Sequence, residues 1–107
     1  MQIQFKKGVL ELCVLAMLKN GDRYGYDVAN CLSNAINVSD GSVYPVLRRL
    51  KQEGCVSSYL EEASGGPPRK YYVITNKGTE LLDSLVRDWS SFSGHVNNIL
   101  TREGNLQ

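Results

Sequence analysis

The 107-residue chain holds one histidine, one tryptophan, three prolines and three cysteines. A single histidine leaves no H-E-x-x-H zinc motif, and the chain has neither a Gly-rich phosphate loop nor a serine or cysteine beside a plausible base. The carboxylates are scattered, and a pair such as Glu61-Glu62 reads as a solubilising feature of a hairpin rather than a proton-transfer dyad. No enzymatic activity, cofactor or metal site is expected. Cys13, Cys31 and Cys55 are odd in number and unequally spaced, which fits neither a disulfide framework nor a C-x-x-C site. They are read as core thiols of a reducing cytosol. Long apolar runs are also missing. The run from Val9 to Leu18 is interrupted by Glu11, is followed by no A-x-A cleavage site and is too short for a bilayer. A cytoplasmic protein without a membrane partner is expected. Nor does one charge dominate: 12 Lys+Arg against 11 Asp+Glu leave a formal +1, so any binding to a polyanion must come from local clustering.

What is present suffices for one folded unit, since 42% hydrophobic and 21% charged residues are ordinary for a globular chain with a single core. Divided after Lys77, the first part carries ten Lys+Arg and seven Asp+Glu, and the remainder two and four. Net charges of +3 and −2 thus separate a basic body, residues 1–77, from an acidic segment, residues 78–107.

Leu10, Cys13, Val14, Met17 and Leu18 recur at helical spacing, with Lys19-Asn20-Gly21 as the stop. Leu12, Leu15 and Ala16 make the other side apolar as well, so this helix is expected to touch two partners. A weaker helical stretch runs from about Tyr24 to Ala35, and Asn37 to Gly41 reads as a turn. Val43, Val46, Leu47 and Leu50 then mark one face of a short helix closed by Glu53-Gly54. The opposite face carries Gly41, Pro45, Arg48, Arg49 and Gln52, with Tyr44 on its flank, so the exposed side is cationic. Two starts fit. A cap at Ser42 puts Pro45 in the first turn, where its missing N–H is harmless, whereas a start nearer Ser39 requires a local distortion.

Beyond Gly54 the period falls to two: Val56, Ser58 and Leu60 alternate with Ser57 and Tyr59. Ala63 to Pro68 break the pattern and Arg69 to Ile74 resume it, which predicts a β-hairpin. Pro67 and Pro68 keep that hairpin at the edge of whatever it joins. Thr75 caps a last helix running to about Leu100. In it Leu82, Trp89 and Val96 occupy one heptad position and Leu85, Phe92 and Ile99 the position three later, a seam that predicts a homodimer interface. A helix of about 24 residues is roughly 36 Å long, more than a small three-helix body covers. Gly94 within it costs about 1 kcal/mol relative to alanine.

Helix, helix, short helix with a cationic outer face and then a hairpin carrying Arg69-Lys70 is the order of a winged helix-turn-helix. The expected fold is mainly α with a small β-hairpin and a long C-terminal dimerisation helix. A B-DNA major groove about 12 Å wide admits one helix, and a hairpin beside it reaches the neighbouring backbone or minor groove. Residues 42–52 would read double-stranded DNA. Ser42, Tyr44 and the helix N-terminus suit phosphate, Arg48 or Arg49 suits a bidentate pair with guanine, and Arg69 and Lys70 suit the wing. Lys6 and Lys7 fit a phosphate-touching arm and a solvated terminus equally.

Gly41-Ser42-Val43-Tyr44-Pro45-Val46-Leu47-Arg48-Arg49-Leu50 and Gly66-Pro67-Pro68-Arg69-Lys70-Tyr71-Tyr72-Val73-Ile74-Thr75-Asn76-Lys77-Gly78 resemble the signature of PadR-like transcriptional regulators. Asp22-Arg23-Tyr24-Gly25-Tyr26-Asp27 resembles that family's Tyr-Gly-Tyr entry into its second helix, and the likeness runs from Val9 to about Leu100. It implies a dimer joined through the terminal helix with help from the first, most members being repressors of efflux, detoxification or stress genes. The single C-terminal helix is similar to the short subfamily that includes the lactococcal multidrug-resistance regulator, in which an interface tryptophan stacks on flat hydrophobic drugs. The matching position is Trp89, eleven residues after Gly78. The resemblance thus implies a small aromatic effector at Trp89, while a lone tryptophan in a seam also reads as packing, and Phe92 beside it could fill the same space.

Other functions are distinguishable. A thiolate redox or metal sensor would need ligand spacing that the three cysteines and His95 lack. A winged helix that binds proteins without touching DNA is compatible with the near-neutral charge and would show no salt dependence toward duplexes.

Overall fold

The computed structural model describes residues 3–105, with side-chain surroundings for residues 8–105. The side chains of Lys6 and Lys7 therefore lie outside the described residues. Four helices and three strands follow in the order α1 (Ile3–Lys19), β1 (Arg23–Tyr24), α2 (Gly25–Ile36), α3 (Asp40–Gln52), β2 (Val56–Glu61), β3 (Arg69–Ile74) and α4 (Asn76–Arg102). This is the winged helix-turn-helix arrangement with a long last helix.

Leu10, Val14, Leu15 and Leu18 of α1 are buried among Val28, Ala29 and Leu32 of α2 and Val43, Val46, Leu47 and Leu50 of α3. The second side of α1 is used in part: Leu15 is buried and Leu12 partly covered, whereas Ala16 is exposed. α2 ends on Asn37, whose φ of 56° is left-handed, a conformation that asparagine tolerates better than most residues. The chain then turns directly into α3.

Of the two starts for α3, the structure takes the one at Ser39. Ser39 has extended backbone angles, and its hydroxyl meets that of Ser42 at 2.8 Å instead of capping a backbone N–H. Pro45 consequently lies inside the helix, beyond the first turn, and supplies no N–H to the Gly41 carbonyl. Both residues are exposed, so the Gly41 carbonyl is open to water.

The sheet differs from the hairpin expected at an edge. Its order is β1-β3-β2, all antiparallel, so β3 is central. Pro67 and Pro68 precede β3 rather than lying in it, and Arg23 pairs with Tyr72 while Tyr24, expected to open the second helix, pairs with Tyr71. Gly25 follows at once. A Cβ there would come within 2.8 Å of the Tyr72 ring, so glycine lets α2 start directly against the sheet.

α4 is capped by Thr75, whose Oγ1 accepts from the Gly78 N–H at 3.1 Å. Leu82 belongs to the same core as α1, α2 and α3, so the division drawn after Lys77 runs through one packed unit, and the first turns of α4 are part of the body. Beyond Leu85 its large apolar side chains Val86, Trp89, Phe92, Val96 and Ile99 are exposed, and the molecule measures 57 × 27 × 21 Å. The helix is continuous through Gly94. No described helix is long and apolar enough to cross a membrane. The thiols are not uniformly core residues: Cys55 is buried and Cys13 partly so, whereas Cys31 is exposed.

Candidate nucleic-acid interface

α3 buries Val43, Val46, Leu47 and Leu50 and turns Gly41, Tyr44, Pro45, Arg48 and Gln52 outward. Ser42 is half-buried at the start of this face. Tyr44 lies near Asp40, Tyr24, Tyr26 and Tyr72; partial burial first, then the negative Asp40, raises its phenol above the ordinary value. Tyr72 is raised by burial, which the charge of the exposed Arg48 partly opposes.

The four cations expected in the site have different surroundings. Arg49 turns back to α1, where its Nε and Nη2 donate to Oε1 of Glu11 at 3.1 and 2.5 Å. Arg69 lies 5.1 Å from the centroid of the Tyr24 ring, a cation–π contact worth about 0.5–1 kcal/mol at an exposed site. Arg48 and Lys70 are exposed, and Arg48 has no hydrogen-bond partner among the described residues. By the alternation of β3, Lys70 shares a face with Tyr72, while Arg69 shares the other face with Tyr71.

Periodicity missed the tyrosine stack on that second face. Ring centroids of Tyr26 and Tyr24, Tyr24 and Tyr71, and Tyr71 and Tyr59 lie 5.9, 6.0 and 5.6 Å apart. The Tyr59 hydroxyl donates to Asp22 at 3.1 Å. These contacts tie the wing to the start of α2, through a β1 too short to be held by backbone pairing alone. Six tyrosines concentrated between residues 24 and 72 were the available signal.

Leu82 is buried and Leu85 partly covered, whereas Trp89, Phe92, Val96 and Ile99 are 41%, 57%, 36% and 51% exposed. An open groove of about 370 Å³ between α1 and α4 is lined by Gly8, Val9, Leu12, Leu85, Asp88, Trp89 and Phe92. Trp89 and Phe92 thus line one groove together. The α1 wall was not identified from the sequence, although its second apolar side signalled a second partner.

Residues 14–84 match the profile of the Transcriptional regulator PadR-like family. The chain belongs to that family. A PadR-like transcriptional regulator from Bacillus cereus strain ATCC 14579 is 41% identical, with a TM-score of 0.80 over 91% of this chain and 96% of that one. A Streptococcus transcriptional regulator is 31% identical, with a TM-score of 0.81 over 92% and 98%. The negative transcriptional regulator PadR of Bacillus subtilis strain 168 is 27% identical over 84 residues, and this chain spans 46% of its length. The crystal structure of B. subtilis PadR in complex with operator DNA has the same fold, with a TM-score of 0.66 at 23% identity over 73% of this chain and 46% of that one. The PadR-like family is one of transcriptional regulators, not of enzymes.

Proposed function

We propose that this PadR-like regulator is a homodimeric repressor that reads a pseudo-palindromic operator, one α3 per half-site, with half-sites about one or two helical turns apart. The observation that carries the reading is the outward face of α3, where Tyr44, Pro45 and Arg48 are open to solvent. Ser42, Tyr44 and the start of α3 address phosphate, Arg48 addresses a base edge, and the Arg69-Lys70 wing lies on the adjacent backbone. B. subtilis PadR, which shares the fold, supports the reading because it is seen with operator DNA. A protein acting on the chromosome works in the cytoplasm.

Dimerisation through α4 is proposed because Trp89, Phe92, Val96 and Ile99 continue the heptad seam beyond the body and stand uncovered. The groove at Trp89 is proposed to receive a flat aromatic effector, with Asp88 as the one ionisable group among the described residues of its lining. Because α1 lines that groove and also packs on α3, a ligand there bears on a helix attached to the reader. It would lower operator affinity by its preference for one of two spacings of the α3 pair.

The test is fluorescence anisotropy with the duplex upstream of the chain's own gene and a random-sequence duplex, titrated in salt. The reading requires tighter binding to the first and a steep loss with salt for both. A flat salt response for both duplexes would favour the protein-interaction module instead.

A further inference from the structure

The ion pair between Arg49 and Glu11 joins the reading helix to α1 across 38 positions of sequence, and it is the one ion pair among the described residues. Arg49 donates twice to the same carboxylate oxygen, and the two side chains are sheltered to 32% and 21% exposure, so salt screens them less than a fully exposed pair.

α3 has features that make such a contact consequential. Its start lacks a side-chain cap, and Pro45 removes one internal hydrogen bond, so the backbone of its first turns is held less firmly than in an ordinary helix. Its buried stripe, Val43, Val46, Leu47 and Leu50, is entirely aliphatic and offers no directional polar contact to α1. A planar guanidinium with two donors on one acceptor is directional. α1 is the fixed reference, its segment from Leu10 to Leu18 being buried through Leu10, Val14, Leu15 and Leu18.

We propose that Arg49 is a positioning residue: held by Glu11, it fixes the rotation of α3 so that Tyr44 and Arg48 face the duplex, and it does not itself contact DNA. This rests on the DNA-reading function proposed above. The alternative, that Arg49 swings to a phosphate, would leave the Glu11 carboxylate unpaired near the polyanion.

The two roles give opposite signs for one substitution. Wild type, Glu11→Gln, Arg49→Gln and the double variant are compared well below their thermal midpoints, on the upstream duplex and the random-sequence duplex, with amide hydrogen exchange of the free proteins alongside. In the positioning role Glu11→Gln and Arg49→Gln each lower affinity for the upstream duplex roughly tenfold, and the double variant is no worse than either single change. Affinity for the random duplex and its salt slope stay at the wild-type value, and α3 amides exchange faster. The proposal is overturned if Glu11→Gln binds both duplexes more tightly with a steeper salt slope, or if Arg49→Gln reduces the slope, since either makes Arg49 a phosphate contact. Should wild type bind neither duplex, the DNA-reading function fails, and the exchange arm still decides the brace: faster exchange in α3 supports it and unchanged exchange overturns it.

Discussion

Gly78, in the first turn of α4, lies so close to Cys55 that a Cβ at that position would stand 2.0 Å from the Cys55 carbonyl oxygen. The same carbonyl accepts the Thr75 N–H at 3.1 Å, and the Thr75 hydroxyl donates to the Gly54 carbonyl at 2.7 Å. The long helix is thereby seated on the turn that links α3 to β2, so that the reader and α4 share one rigid joint.

Gly78→Ala should therefore destabilise the chain by about 3 kcal/mol, because backbone rather than a flexible side chain must move. Gly94→Ala is the contrast. No atom lies within 4 Å of a Cβ at Gly94, and the substitution should stabilise by about 1 kcal/mol through helix propensity. Urea unfolding of both variants gives the comparison, and similar midpoints would contradict the seating of α4.

The three thiols should differ in reactivity. Burial raises the Cys13 thiol, and burial raises that of Cys55 with Lys77 partly opposing it, so both hold little thiolate near neutral pH. Cys31 is exposed on α2. Iodoacetamide followed by mass spectrometry should label Cys31 first and Cys55 last; labelling of Cys55 as fast as Cys31 would show that the turn before β2 opens readily.

Tyr44, Tyr59 and Tyr72 have phenols raised above their ordinary value, with burial the first cause in each and a hydrogen bond to Asp22 adding at Tyr59. A folded-state value above the unfolded one means that the folded protein holds these protons more tightly. The associated stability is complete below about pH 10 and is lost as pH rises through the raised values. Urea midpoints should fall on the alkaline side, with phenolate absorbance showing part of the tyrosine set titrating late.

The apolar faces of α1 and α3 were legible because burial follows a 3.6-residue period, and the hairpin because the period changes to two. Local periodicity carries no information about partners distant in sequence. It placed Arg49 on the cationic face beside Arg48, but Glu11, on another helix, draws it off that face. β1 escaped notice because two residues make no pattern, and Arg23 and Tyr24 become a strand only by pairing with β3. The start of α3 stayed open because Pro45 argues for Ser42 by backbone chemistry, whereas exposure of Gly41 to water lets the helix begin at Ser39. Cys31 looked like a core residue by type and lies on the outer side of α2.

Phe92 and Ile99, 57% and 51% exposed, should be covered by a second copy of the chain. Sedimentation equilibrium at micromolar concentration should give a dimer, and Phe92→Glu with Ile99→Glu a monomer that keeps the thermal transition of the body. A wild-type monomer would remove α4 as the joining element.

The central claim is that the exposed face of α3 reads DNA, and it is tested most directly by Arg48→Ala on the upstream duplex. The account predicts a loss of about 1–3 kcal/mol per half-site with relaxed preference over a random-sequence duplex, at an unchanged thermal midpoint. Equal binding of that duplex by wild type and Arg48→Ala, or none by either, would contradict it.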